Sequence, residues 1–183
     1  EILSWYPGVD TVKIKVGTGI REDLARIARV RKVLPTAKIR VDVNGSWSVD
    51  DAIFNIRTIY GEVAGNFLEY VEQPVASLNE LRELKERLIV DVKIAGDEVL
   101  RKAEDSFEID LDGAIDVLML KVSPLGGIKR SLELAGHHKL PVVVSSALES
   151  VVGISYGLKL AAQLPVLNYA CGLATGALMK ADV

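Results

Sequence analysis

The chain has 183 residues, a formal net charge of -3 and one cysteine, with 49% apolar and 26% charged residues. These values fit one ordinary globular domain with a core of its own. They exclude an internal disulfide framework, lack the basic excess that a nucleic-acid partner demands, and leave no apolar run long enough for a membrane span. No nucleic-acid or membrane partner is expected, and a single thiol, Cys171, fits a reducing cytosol.

The first residues, EILSWYPGVD, lack the basic-then-apolar order of a secretory signal. They begin without Met and read as the end of a helix, so the chain is expected to be a piece of a longer polypeptide. TVKIKV (11–16) alternates β-branched residues with Lys13 and Lys15, the pattern of a strand. A helix follows over 21–34, with Leu24, Ile27, Ala28 and Leu34 on its expected buried face. KIRVDV (38–43) is the next strand. The helix after it covers 48–63, with Ser48 as its cap and Asp51 as a capping-box acid. FLEYVE (67–72) precedes a helix over 77–88, where Ser77 and Glu80 form a second capping box and Leu78, Leu81, Leu84 and Leu88 form a stripe. DVKIAG (91–96) leads into 101–113, expected to hold a short helix. DVLMLKV (116–122), a helix at 128–138, PVVVSS (141–146), a helix at 149–163 and a seventh run, VLNYA (166–170), complete the chain.

Strand and helix alternating at about 25 to 30 residues per unit give an α/β fold with a parallel sheet and helical crossovers. An open nucleotide-binding sheet would carry GxGxxG or GxxxxGK[ST], and neither is present. The remaining closure is a TIM-type (β/α) barrel spanning 1–183 as one partial domain. A complete barrel takes about 250 residues, and only seven strands are counted, so the first strand is expected to be missing.

One charged group falls at the end of each of five strands: Lys15, Asp42, Glu72, Asp97 and Lys121. Their spacings, 27 (15 to 42), 30 (42 to 72), 25 (72 to 97) and 24 (97 to 121), each equal about one βα unit. In a barrel such ends share the face where active sites lie. Three converging carboxylates repel one another unless a cation joins them. Oxygen-only donors favour a hard ion, Mg²⁺ before Mn²⁺ or Ca²⁺. Lys15 and Lys121, four strand steps apart, would face each other across the mouth. The matching chemistry is proton abstraction beside a carboxylate, with the metal stabilising an enediolate and a desolvated lysine as base. Lys13 would restrain the charge on Lys15 by repulsion.

The motifs KIK (13–15), DVNG (42–45), EQP (72–74), GDE (96–98), LKVSPLGG (120–127) and VVSSALES (143–150), in this order, resemble the enolase superfamily. Within its muconate-lactonizing-enzyme-like subgroup, KVSPLGG, SSALES and ACGLAT are most similar to the o-succinylbenzoate synthase family. Members use a Lys or His base with one or two Mg²⁺ ions. The resemblance implies Lys15 as general base and Lys121 as the anion's partner on the opposite face, with Lys13 assisting. It implies Asp42, Glu72 and Asp97 as Mg²⁺ ligands, Asn44 and Glu98 around them, and Gly126, Gly127, Ser145 and Ser146 as contacts, largely through backbone, to a small carboxylate substrate. The implied reaction is syn dehydration of a cyclohexadiene carboxylate to 2-succinylbenzoate in menaquinone biosynthesis. The N-terminal α+β capping domain of such enzymes is missing from this sequence.

Other readings use the same residues. N-acylamino-acid racemase or dipeptide epimerase activity would make Lys15 and Lys121 two opposed bases, although the Asp-x-Asp expected of a dipeptide epimerase is replaced by YACGLAT. A catalytically dead barrel fragment, surviving as a folding or interaction module, is the non-enzymatic alternative. His137 and His138 suit a helix C-terminus, and Cys171 suits a small buried position.

Overall fold

A computed structural model of the chain describes residues 7–64 and 67–179. The expected helix end at 1–6, with Trp5, lies outside the described residues. The chain divides into two compact units, Glu1–Ala95 and Gly96–Val183.

The first unit runs β1 (Thr11–Lys15), α1 (Ile20–Val33), β2 (Lys38–Asp42), α2 (Val49–Glu62), β3 (Leu68–Glu72), α3 (Leu78–Arg87) and β4 (Lys93–Gly96), whose first three residues pair with β3. The strands are parallel, β1 on β2, β2 on β3 and β3 on β4. Register sets the chemistry of each face. Ile14, Val41, Val71 and Ile94 lie level and buried. One residue further on, Lys15, Asp42, Glu72 and Ala95 lie level, and the pleat turns that row to the opposite face. The apolar row meets the helices, which bury Ile27, Ile56, Ile59, Leu81 and Leu84. Each such side chain contributes about 1.5–3 kcal/mol by leaving water.

One irregularity makes this row possible. Ile39 pairs with Leu68, but Arg40 pairs with Tyr70, so Glu69 is an extra residue in β3. Such a bulge shifts the faces by one residue beyond it.

Local signals explain the helices. Glu22 and Asp23 start α1, and Arg31 and Lys32 end it, each charge opposing the helix dipole. It stops at Leu34, before Pro35, where the helical conformation is disfavoured. Its buried face differs from the expected one. Ile27 is buried as expected, Ala28 is exposed, and the acid Asp23 is buried. α2 is capped by Ser48, whose Oγ accepts from the Asp51 N–H. At α3, Ser77 and Glu80 form the full reciprocal box.

The second unit contains α4 (Glu98–Arg101), β5 (Val117–Lys121), α5 (Ile128–His138), β6 (Val142–Ser145), α6 (Val151–Gln163) and a 3-10 helix, Thr175–Leu178. β5 and β6 are parallel, with Lys121 level with Ser145. Every residue of both strands is buried. Two expectations are corrected. The short helix lies at Glu98–Arg101, immediately after β4, and 102–113 forms turns and irregular chain. VLNYA is not a strand; Val166, Leu167 and Asn168 are exposed. The bridge to β6 forms later, at Gly172. A Cβ there would meet the Ser145 hydroxyl at 2.9 Å, so a larger residue would have to turn that hydroxyl aside.

Candidate active site

In the first unit the level row becomes an ion-pair cluster. Lys13 Nζ lies 3.0 Å from Asp42 Oδ2 and 2.9 Å from Glu72 Oε2. Lys15 Nζ lies 2.6 Å from the same Asp42 oxygen and 2.6 Å from Asn44 Oδ1. Both carboxylates are buried. Burial works against the charge of Asp42, but the ammonium groups of Lys13 and Lys15 outweigh it and hold the carboxyl below its usual range. Burial likewise opposes charge on Lys13, and Glu72 and Asp42 overcome it, so its ammonium is held well above its ordinary value.

The lysines differ from expectation in one respect. They share a face, as the alternation predicts, but the enclosed one is Lys13, at 30% side-chain exposure, whereas Lys15 is 63% exposed. Among the described residues β1 has a ladder partner only in β2, which leaves its last side chain open.

The loops after the strands hold the polar groups in place. Asn44 takes φ 55° and Gly45 φ 71°, the left-handed turn that Asn and Gly tolerate best. The Asn44 N–H donates to Asp42 Oδ1 at 3.2 Å. Gln73 is buried at φ 40° and donates through Nε2 to the Val75 carbonyl at 2.8 Å. Sequence reasoning passed over Gln73, although its place between Glu72 and Pro74 marks a turn.

In the second unit, Lys121 Nζ lies 2.6 Å from Asp97 Oδ2. Arg101, one turn along α4, reaches Asp97 at 3.2 Å and Glu98 Oε1 at 2.7 Å. Lys121 is 11% exposed and Asp97 is buried. Arg101 was not singled out from sequence; its position four residues after Asp97 was the available signal.

Gly126 and Gly127 take φ 86° and 111°, a conformation that favours glycine. Their N–H groups donate within the loop, to Ser123 O at 3.2 Å and Val122 O at 2.9 Å. Ser145 and Ser146 are buried. The Ser146 N–H and hydroxyl both donate to Gly172 O, at 3.2 and 3.3 Å, and its hydroxyl lies 2.7 Å from that of Thr175. In this structure the backbone donors expected to meet a substrate at Gly126, Gly127 and Ser146 hold the loops together.

Among the described residues, no group of three or more His, Cys, Asp or Glu side chains is arranged to hold a metal ion. The donor chemistry nonetheless fits one in the first unit. Asp42 and Glu72 are buried, level on adjacent strands and already turned toward one shared cationic nitrogen, Lys13 Nζ. Two such carboxylates suit a hard divalent ion. His138 bonds the Ser106 carbonyl at 2.8 Å and His137 packs edge-on to Phe107, while Cys171 is half-buried. No described helix is long and apolar enough to cross a membrane.

Comparison with known proteins agrees with the motifs. The family model described as Enolase C-terminal domain-like matches residues 4–183. The chain is 48% identical over 186 aligned residues to an o-succinylbenzoate synthase from Mycolicibacterium smegmatis, covering 100% of this chain and 56% of that protein. It is 47% identical to another from Mycobacterium tuberculosis, covering 100% and 55%. The chain therefore spans about half the length of these relatives. Among solved structures, a substrate-liganded L-Ala-D/L-Glu epimerase from Bacillus subtilis superposes with TM-score 0.81 at 30% identity, covering 96% of this chain and 50% of that one. Muconate lactonizing enzyme from Pseudomonas putida superposes at TM-score 0.79 and 24% identity, covering 95% and 49%, a likeness of fold alone. The expected parallel α/β barrel architecture is borne out, and the chain belongs to the enolase C-terminal domain-like family of the enolase superfamily.

Proposed function

We propose that this chain carries the catalytic barrel of a Mg²⁺- or Mn²⁺-dependent o-succinylbenzoate synthase. The reaction is syn loss of water from 2-succinyl-6-hydroxy-2,4-cyclohexadiene-1-carboxylate to give 2-succinylbenzoate, a step of menaquinone biosynthesis. The observation that carries the reading is Lys15 level with Asp42 and Glu72 in adjacent strands, in a chain 48% identical to a protein of that name. One family model spanning residues 4–183 supports treating 1–183 as one partial barrel domain.

Lys15 Nζ, placed by Asp42 and Asn44, gives up its own proton to solvent and, as the free amine, is the base that takes the proton beside the substrate carboxylate. It then returns that proton to the hydroxyl leaving on the same face, so that water departs. Lys13 stays protonated between Asp42 and Glu72 and helps keep Asp42 ionised. Lys121 offers its ammonium to the developing anion. Asp42, Glu72 and Asp97, with Asn44 and Glu98 around them, would hold a divalent ion that supplies positive charge to the substrate carboxylate. Gly126, Gly127, Ser145 and Ser146 complete the proposed substrate contacts. No nucleic-acid or membrane partner and a cytoplasmic location accompany this reading.

The test is turnover of the cyclohexadiene substrate with Mg²⁺, using the full-length protein, this 183-residue chain and Lys15→Ala. Full-length activity that disappears in Lys15→Ala is expected. Absence of dehydration in the full-length protein would refute the lyase reading. A second reading, epimerisation or racemisation of an acylated amino acid, is favoured by the B. subtilis epimerase and by a dipeptide epimerase from Enterococcus faecalis at 29% identity and TM-score 0.81, covering 95% of this chain and 50% of that one. Exchange of an α-proton without dehydration would select it.

A further inference from the structure

We propose that Asp23 and Arg26 are positioning residues for Lys15; the proposal rests on the reading of Lys15 as the general base. β1 ends at Lys15, and the backbone carbonyl of that last residue accepts a hydrogen bond from Arg26 Nη1, on the first turns of α1. The same guanidinium nitrogen lies 3.1 Å from Asp23 Oδ1. Asp23 in turn accepts from the Gly17 N–H at 2.8 Å through Oδ2, and from the Thr18 hydroxyl at 3.1 Å through Oδ1. One carboxylate therefore fixes both the loop that leaves Lys15 and the cation that holds the Lys15 carbonyl.

The other end of the residue is held by Asp42 and Asn44. Lys15 is thus anchored at its carbonyl and at its Nζ, with only its flexible stem between. Such a double anchor matters most at this strand, which is paired along one edge among the described residues. A first-turn acid that only opposed the helix dipole could do so from the surface. Asp23 is instead almost fully buried, and burying a carboxylate is costly unless hydrogen bonds and a countercharge compensate it. All of its described partners belong to the segment that carries Lys15 into α1.

The test uses the full-length protein and Arg26→Met, with Arg29→Met as control. Arg26 is 42% exposed at its side chain, so its loss should leave the fold intact, and Arg29 is exposed on the same helix. In Arg26→Met, kcat for dehydration should fall about ten- to a hundredfold while KM stays within about twofold, because the base is misplaced and substrate binding is not. Arg29→Met should match the parent. A readout independent of turnover is the NMR resonance of Lys15 after ¹³C reductive dimethylation, assigned with Lys15→Arg. It should move in Arg26→Met and stay in place in Arg29→Met. Folded Arg26→Met with unchanged kcat and an unchanged Lys15 resonance would overturn the proposal. If Arg26→Met does not fold, Arg26→Gln is judged by the same two readings. If the parent protein performs no dehydration, the lyase reading fails, while the resonance still decides whether Arg26 places Lys15.

Discussion

The two units solve one electrostatic problem in different ways. In the first, Lys13 and Lys15 meet Asp42 and Glu72, and Lys13 is shared between both carboxylates. In the second, Lys121 and Arg101 meet Asp97 and Glu98, and Asp97 is shared between both cations. The first cluster is assembled by strand register from residues up to 59 positions apart. The second takes three of its four members from one helical turn. A buried charge cluster is vulnerable at its shared member. Each cluster has two such members, Lys13 and Asp42 in the first unit and Arg101 and Asp97 in the second, so the two differ in how they are assembled and not in how they are connected.

The largest test of this contrast removes one lysine from each cluster. Lys13→Met removes an inner member, which leaves Asp42 with Lys15 but breaks the ion pair to buried Glu72, and should cost about 3–5 kcal/mol in urea unfolding, the range for breaking a buried pair. Lys121→Met leaves Asp97 with Arg101 and should cost about 1–2 kcal/mol. Equal losses would break the comparison.

The first cluster should also show in the pH dependence of the unfolding midpoint. The folded value of Asp42 is depressed from 3.8, so its contribution is present above that pH and is lost as pH falls through the lowered value. Lys13 is raised from 10.5; its contribution is complete below that pH and disappears as pH rises through the raised value. A midpoint flat across both limbs would contradict the cluster.

Helix starts differ between the units in the same sense, at smaller scale. Ser77 caps α3 with its side chain, whereas Ser150, at the start of α6, makes no side-chain cap bond. Ser77→Ala should cost about 1 kcal/mol, and Ser150→Ala should stay within about 0.5 kcal/mol, as for an ordinary surface change. Thermal melts of the two variants would sharpen the contrast or remove it.

Much of this was legible in the sequence because it depends on local rules. Alternation placed six strands within two residues, and Ser77 with Glu80 announced a cap that forms as expected. Strand-end spacing picked out Lys15, Asp42, Glu72, Asp97 and Lys121 together. What escaped depends on contacts that spacing does not encode. The exposure of Lys15 follows from how many strands flank β1. Asp23 was not singled out, because only its burial and its bonds to Gly17 and Thr18 set it apart from an ordinary acid in a first helical turn. VLNYA had the composition of a strand, but Val166, Leu167 and Asn168 are exposed and the bridge to β6 forms at Gly172.

The extra residue in β3 has a consequence for how this sequence can vary. Before Glu69, Leu68 is level with Ile39; after it, Glu72 is level with Asp42. Deleting that extra residue would make the ladder regular and leave Tyr70 level with Arg40 and Glu72 with Asp42, whereas deleting one residue between Tyr70 and Glu72 would bring Glu72 level with Val41 and turn it toward the helices. A change of length by one codon is therefore tolerable at the bulge and not beyond it, so lineages that keep the carboxylate must keep the spacing from Tyr70 to Glu72.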